Sequence, residues 1–289
     1  MKSSTLSTLL IGSLMLLASF GPAFALSSSL LAPGTNVLRI NESSVYSTNW
    51  SGYAVTGSTG SVSSVSGSWI VPTLASNSGS ALAAFWVGID GYSSNTVEQT
   101  GTLIATSSAQ TTYGVPAYSA WYEFYPAGMV IINNKVTPGD VIYANVTYTG
   151  TSTTRGIFGW STFFARDPPS RLSSKFAVNI TDITAGWTFT TTGTVTNAAR
   201  SSAEWIAEAP SSSRGVLPLA NFGTMSFGND STGVTGTCYA TVSTVTAAIG
   251  SFSSYQEITM VTTTGATKAL PSGLSVPDGT SFSVTWYSS

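Results

Sequence analysis

The run SSAEWIAEAP, Ser201 to Pro210, carries two glutamates, Glu204 and Glu208, in a 289-residue chain of which only 8% is charged. A carboxylate in such apolar company is a candidate for acid–base chemistry, because burying it without a role is costly. Strand alternation puts Ser202, Glu204, Ile206 and Glu208 on one face, and Ala203, Trp205 and Ala207 on the other. The two glutamates do not form a reacting pair, since four residues along a strand span about 13 Å, against roughly 5 Å in a retaining glycosidase. A partner for Glu204 therefore has to come from another strand. No Asp-Thr-Gly or Asp-Ser-Gly occurs, which excludes the paired loops of an aspartic protease, and no Glu-x-Asp or Glu-x-Glu spacing suits a glucanase. What does occur is Glu98-Gln99-Thr100-Gly101.

Composition removes other chemistries. The chain has no histidine, so Ser-His-Asp and Cys-His hydrolysis and histidine-ligated metals are excluded. Its one cysteine, Cys238, cannot form an intramolecular disulfide, and the alternating run GTCYATV marks it as a buried strand position rather than a nucleophile. Ten scattered basic residues and a net charge of -2 leave no patch for nucleic acid or anionic lipid. Twelve acidic residues are few for this length. A protein working in acid benefits from having few ion pairs to lose, although a hydroxyl-rich extracellular surface accounts for the same number.

The elements that would position these residues are strands. Lys2, the apolar Leu9 to Leu17 and the small-x-small Ala23-Phe24-Ala25 make residues 1–25 an expected export signal, with 26–48 a leader or short pro-segment and 49–289 one domain. No later apolar run is long enough to span a membrane, so no anchor is expected after cleavage, and a secreted monomer is the default. Five Asn-x-Ser/Thr sequons, at Asn41, Asn49, Asn145, Asn179 and Asn229, fit an extracellular location. From Asn49 onward, short runs rich in Val, Ile, Thr, Tyr and Trp, bounded by Gly, Pro, Asn and Ser, predict an all-β antiparallel sandwich of two large sheets. Strands are expected at 50–56, 67–71, 83–90, 96–102, 117–125, 141–148, 158–164, 203–208, 239–247 and 282–287. The Ser/Thr patches 61–68 and 190–196 read as strand edges or loops, and 150–199 as a long hairpin or flap.

Seven motifs in order, NWSGYAV (Asn49 to Val55), GSWIVP (Gly67 to Pro72), FWVGIDG (Phe85 to Gly91), EQTG (Glu98 to Gly101), AWYEFYP (Ala120 to Pro126), PGD (Pro138 to Asp140) and AEWIAEAP (Ala203 to Pro210), resemble the glutamic peptidases, or eqolisins. The resemblance implies a concanavalin-like sandwich whose concave face carries a catalytic glutamate and glutamine, here Glu204 in AEWI and Gln99 in QTG. It also implies an acid endopeptidase acting on protein or peptide substrates, with no metal or cofactor. The chemistry suits these residue types. Glu204 can deprotonate water and then protonate the leaving amine, while the neutral amide of Gln99 donates to the oxyanion at any pH. A near-normal glutamate pKa, about 4.3, would give an acidic optimum. Trp86 and Asp90 are expected to share a strand face, as are Trp121, Glu123 and Tyr125. Such stripes line a cleft or bury a sheet, and the resemblance favours a substrate-lining role. Glu208 reads as a supporting carboxylate. A non-catalytic carbohydrate- or surface-binding sandwich is the alternative from another class.

Overall fold

The computed structural model describes residues 23–25, 37–39, 45–75, 79–154 and 171–289. Its hydrogen-bond ladders build two large sheets. In the first, Val130–Ile132 lies beside β5 (Tyr118–Tyr125), followed by β4 (Val97–Ala105), β3 (Leu82–Ile89), β9 (Ser202–Glu208), β1 (Trp50–Thr56) and β13 (Tyr255–Val261), all antiparallel. In the second, β8 (Trp187–Thr196) pairs with β7 (Arg171–Asp182), β7 with β6 (Val141–Thr154), and β6 with β2 (Val62–Ile70). The far edge of β2 continues into β11 (Tyr239–Val242) and touches β10 (Thr224–Phe227). β15 (Phe282–Trp286) and β14 (Thr267–Pro271) then lead back to β13, so the two sheets are joined along one edge.

The core lies between the sheets. Tyr53 and Val55 of β1, Phe85 and Val87 of β3 and Trp205 of β9 pack with Val65 and Trp69 of β2, Val146 of β6, and Phe176 and Val178 of β7. Two indoles bind the layers together as well as filling them: Trp205 Nε1 donates to the Ser66 carbonyl at 2.7 Å, and Trp69 Nε1 to Thr102 Oγ1 at 2.9 Å. Every residue of β3, β4 and β9 is buried. The first sheet is therefore covered on both faces, which explains why LAAFWVGI shows no polar alternation. Its outer face carries a second cluster that includes Trp50, Ala54, Leu82, Trp86, Leu103, Trp121 and Ile206.

Trp50–Thr56 has the expected bounds, and seven other expected strands appear with shifted ends. The 239–247 run is a hairpin of β11 and β12 (Val245–Ala248), because the chain turns at Ser243, φ 58°. The expected strand 158–164 lies outside the described residues. The patch 61–68 is mostly inside β2, and β6 and β7 form a long antiparallel pair. β8 is a full strand whose exposed positions are largely threonine, so its Ser/Thr composition reflects a solvated face. Cys238 is wholly buried immediately before β11, and burial pushes its thiol up to about 12. The expected export signal and leader lie mostly outside the described residues. The described parts before Asn49 are strands of the sheet: Ala23–Ala25 pairs with Val130–Ile132, Val37–Arg39 with Val45–Ser47, and Val45–Ser47 in parallel with β13. Among the described residues, no helix is long and apolar enough to cross a membrane.

Trp205→Phe keeps most of the packing but removes the indole's hydrogen bond to the Ser66 carbonyl between the layers. A loss of about 1–3 kcal/mol is expected, seen as a lower urea midpoint with an unchanged slope.

Candidate active site

Directly paired residues of an antiparallel ladder point to the same face, so the register of the first sheet fixes which side chains converge. Glu204 on β9 faces Gly88 on β3; Gly88 faces Gln99 on β4; Gln99 faces Glu123 on β5. These four form one row on the outer face. Glu204 and Gln99 are two strands apart, about 10 Å between backbones at about 4.8 Å per strand, and the residue between them has no side chain. A Cβ on Gly88 would come within 2.9 Å of Trp86 Cζ3 and 3.1 Å of Gln99 Cβ. The glycine thus keeps open the space into which the carboxylate and the amide reach. Gln99 Nε2 donates to Glu123 Oε2 at 2.7 Å. Neither oxygen of Glu204, nor Gln99 Oε1, nor the second oxygen of Glu123 is engaged by a well-formed protein hydrogen bond.

The next row holds the aromatic residues. Trp86 on β3 and Trp121 on β5 flank Gly101 of β4. A Cβ at Gly101 would lie 2.6 Å from Trp86 Cβ, so glycine lets Trp86 lie close over the ladder. One row further, Glu208 lies opposite Trp50 and Ala84. It is on the same face as Glu204, as alternation requires, but its oxygens are occupied: Oε2 accepts from Trp86 Nε1 at 2.7 Å and Oε1 from Asn49 Nδ2 at 3.3 Å. Trp86 also packs edge-on against Trp50, with ring centroids 5.0 Å apart. Asn49, a sequon in the sequence, is fully buried in this contact. Tyr125, two residues beyond Glu123 on β5, packs against the same outer cluster.

Asp90 departs from the expected stripe. β3 ends at Ile89, and Asp90 has φ 72°, so strand alternation does not extend to it. Its carboxylate accepts from the backbone N–H groups of Arg200 at 2.7 Å and Ser201 at 2.9 Å, fixing the entry into β9. The structure therefore gathers Glu204, Gln99, Trp86, Trp121, Glu123 and Tyr125 on one face and places Asp90 at its end. Sequence reasoning passed over Gly88, Asn49 and Glu98. The last belongs to the EQTG motif, is fully buried, and lies in the row of Ile89 and Phe124, facing the inter-sheet core.

Electrostatics here is dominated by loss of water. Burial pushes Glu204 well above the ordinary carboxylate range; the Ser202 hydroxyl and the Tyr92 N–H oppose this, while Asp90 and Glu98 add to it. The near-normal pKa expected for Glu204 is thus not found, because the strand run is covered on both faces. Burial raises Glu98 and Glu123 in the same way, and it raises Glu208 to about 8 against the opposing hydrogen bonds from Trp86 and Asn49. Asp182, beside Asp140 where β6 begins and β7 ends, rises to about 6. No lysine or arginine offsets these shifts among the described residues. A buried carboxyl with a raised pKa is a strong base once ionised and a competent acid while protonated. With a neutral amide across the row, the arrangement can activate a water and hold an oxyanion without a metal. No cluster of three or more metal-binding side chains is present among the described residues.

Known proteins share this architecture. The model of the peptidase A4 family matches residues 48–160 and 170–270. Aspergillopepsin-2 of Aspergillus niger is 28% identical over 225 residues, covering 68% of this chain and 70% of that protein. Among solved structures, scytalido-glutamic peptidase with a transition state analog inhibitor superposes with a TM-score of 0.59 at 23% identity, covering 83% of this chain and 98% of the other. SCP-B, an eqolisin in complex with the tripeptide Ala-Ile-His, gives a TM-score of 0.56 at 22% identity, with the same coverage.

The raised carboxyls set a pH dependence of stability. Below about pH 4 glutamate is protonated in both folded and unfolded chains, so burial at Glu208 costs nothing through ionisation. Between there and its folded value of about 8, the unfolded chain ionises while the folded one retains its proton, and stability falls. The melting temperature should be highest in acid and fall towards pH 8. Glu208→Gln should flatten the fall by a few kcal/mol, because each tenfold change in a proton's binding constant on folding corresponds to about 1.4 kcal/mol.

Proposed function

Because the chain belongs to the peptidase A4 family, and so is a peptide-bond hydrolase of the glutamic peptidase type, we propose that Glu204 and Gln99 are its catalytic dyad. The observation that carries this reading is their common row across Gly88, with the oxygens of Glu204 and Oε1 of Gln99 buried and without well-formed protein partners. A scissile carbonyl over Gly88 would have the carboxylate on one side and the amide on the other. Ionised Glu204 takes a proton from a water, which attacks the carbonyl carbon. Gln99 donates a hydrogen bond to the resulting oxyanion, and Glu204 returns the proton to the leaving nitrogen as the C–N bond breaks.

The substrate is a protein or peptide chain. Trp86, Trp121 and Tyr125 supply the apolar walls that would flank it, Glu123 holds Gln99, and Asp90 shapes the entry to β9 and the field at Glu204. The dyad is buried, so peptide access requires movement of the chain that covers this face. The enzyme is proposed to work in acid, where the supporting carboxyls Glu98, Glu123 and Glu208 keep their protons and the high proton affinity of Glu204 makes its ionised fraction a strong base, and outside the cell, as residues 1–25 suggest, as a monomer.

Two experiments test the dyad. Purified mature protein should digest an unfolded protein substrate at acidic pH in the presence of pepstatin. Glu204→Gln should lower kcat/KM by about 10²–10⁴ and Gln99→Ala by about 10²–10³, with both variants folded. Retention of activity by either would overturn the assignment. Gly88→Ala should cost about 1–3 kcal/mol through overpacking and lower kcat/KM at least tenfold by crowding Gln99, measured by unfolding and by peptide cleavage.

A further inference from the structure

One hydrogen bond at the site has chemical consequences beyond catalysis by the dyad. Gln99 Nε2 lies 2.7 Å from Glu123 Oε2, while neither Gln99 Oε1 nor Glu123 Oε1 is engaged by a well-formed protein hydrogen bond. A terminal amide has a donating end and an accepting end, and the neighbour's protonation decides which end it attracts. A carboxylate only accepts, so it must take an amide hydrogen. A carboxylic acid also has one O–H to donate, and Gln99 Oε1 is an acceptor without a well-formed protein hydrogen bond.

We infer that Glu123 is a positioning residue for Gln99, and that its protonation turns the amide between an idle and a working orientation. As a carboxylate it holds Nε2 towards β5 and presents the carbonyl oxygen to the Glu204 side of the row, where an oxyanion would be repelled. As a carboxylic acid it donates its O–H to Gln99 Oε1 and leaves both amide hydrogens for the Glu204 side. The inference rests on the proposed role of Gln99. It gives the reaction a second acid requirement, separate from that of Glu204.

The surroundings of Glu123 favour the acid form in mildly acidic solution. It is 1% exposed, on the buried row of the sheet. From β4 it meets Gln99; from β9 the carboxyl of Glu208 acts on it; from the segment after β5 the Met129 N–H partly supports its charge. Glu204 stands at the other end of the row, beyond Gln99 and Gly88. No cation faces it among the described residues. Burial therefore moves its proton loss upward, and the idle orientation is gained as pH rises.

The test uses a variant that imitates the acid form. The side chain introduced by Glu123→Gln is neutral at every pH and can donate to Gln99 Oε1. Side-chain amide spectra of protein labelled with ¹⁵N-glutamine, assigned by the signal lost in Gln99→Ala, are recorded from pH 3 to 8 alongside pH profiles of peptide cleavage. The Gln99 amide should titrate in the wild type and in Glu208→Gln but not in Glu123→Gln. Glu123→Gln should keep activity within about tenfold and move the alkaline limb up by about one pH unit or more, whereas Glu123→Leu, which cannot donate, should lose about 10²-fold or more at every pH. An amide that does not titrate in the wild type, an unmoved alkaline limb in Glu123→Gln, or near-normal cleavage by folded Glu123→Leu would each overturn the inference. An amide that titrates through Glu123 in a protein that cleaves no peptide would uphold the switch and sink the peptidase dyad instead.

Discussion

Among the described residues seven acidic ones, Asp90, Glu98, Glu123, Asp140, Asp182, Glu204 and Glu208, are buried, in a chain with only ten basic residues to offset them. An uncompensated charge in such a place costs several kcal/mol, so most of these groups are stable there as neutral acids. This condition governs both the fold and the site. A sheet covered on both faces by aromatic and aliphatic side chains can carry four glutamates only if protons replace the missing cations. The low charge content is then not simply a trait of a hydroxyl-rich surface. It marks an interior that tolerates acid and is disfavoured by neutrality.

The same constraint makes hydrogen bonds selective. Asp90 offsets the cost of its charge by accepting two backbone N–H groups, and Glu208 is held by an indole and an amide. Glu204 has no comparable engagement. A scaffold that satisfies its supporting carboxyls and leaves one without a well-formed partner, beside a glycine, concentrates reactivity at one point of the sheet. The indoles contribute to this. Trp205 and Trp69 fix the distance between the layers from within, while Trp86 and Trp50 occupy the outer face and hold Glu208 away from the row of Glu204.

Much of this was legible in the sequence because alternation in strands is strict. AEWIAE gave Glu204 and Glu208 a common face, with Trp205 opposite, and the β9 register shows the same division. What sequence could not supply was the pairing between strands distant in the chain. Gly88 sits between Glu204 and Gln99 only because β3 lies between β9 and β4, and no local pattern encodes that order. Asp90 was misplaced for a local reason: its positive φ ends the strand, so the Trp86 stripe could not reach it. β7 and β8 lie in the stretch read only as a long hairpin or flap, without strand bounds, because Ser, Thr and Asn at their wet positions look like loop composition until a buried partner strand is known. The pKa of Glu204 was set too low because burial of the outer face depends on packing that periodicity does not reveal.

Glu204 and Glu208 show how one strand can give identical residues different work. They share a strand, a face, a residue type and nearly complete burial. They differ in what stands opposite. Glu208 faces Trp50 and Ala84 and is tied to Trp86 and Asn49, so its proton and its orientation are both committed to the scaffold. Glu204 faces Ala54 and Gly88, the smallest neighbours in the ladder, and beyond the glycine stands an amide. Small neighbours leave volume for a substrate atom, and a neutral amide can donate to a nearby oxyanion that a second carboxylate would repel. Strand register is therefore what separates the roles proposed for them, with the proton-exchanging one given to the glutamate placed across a gap.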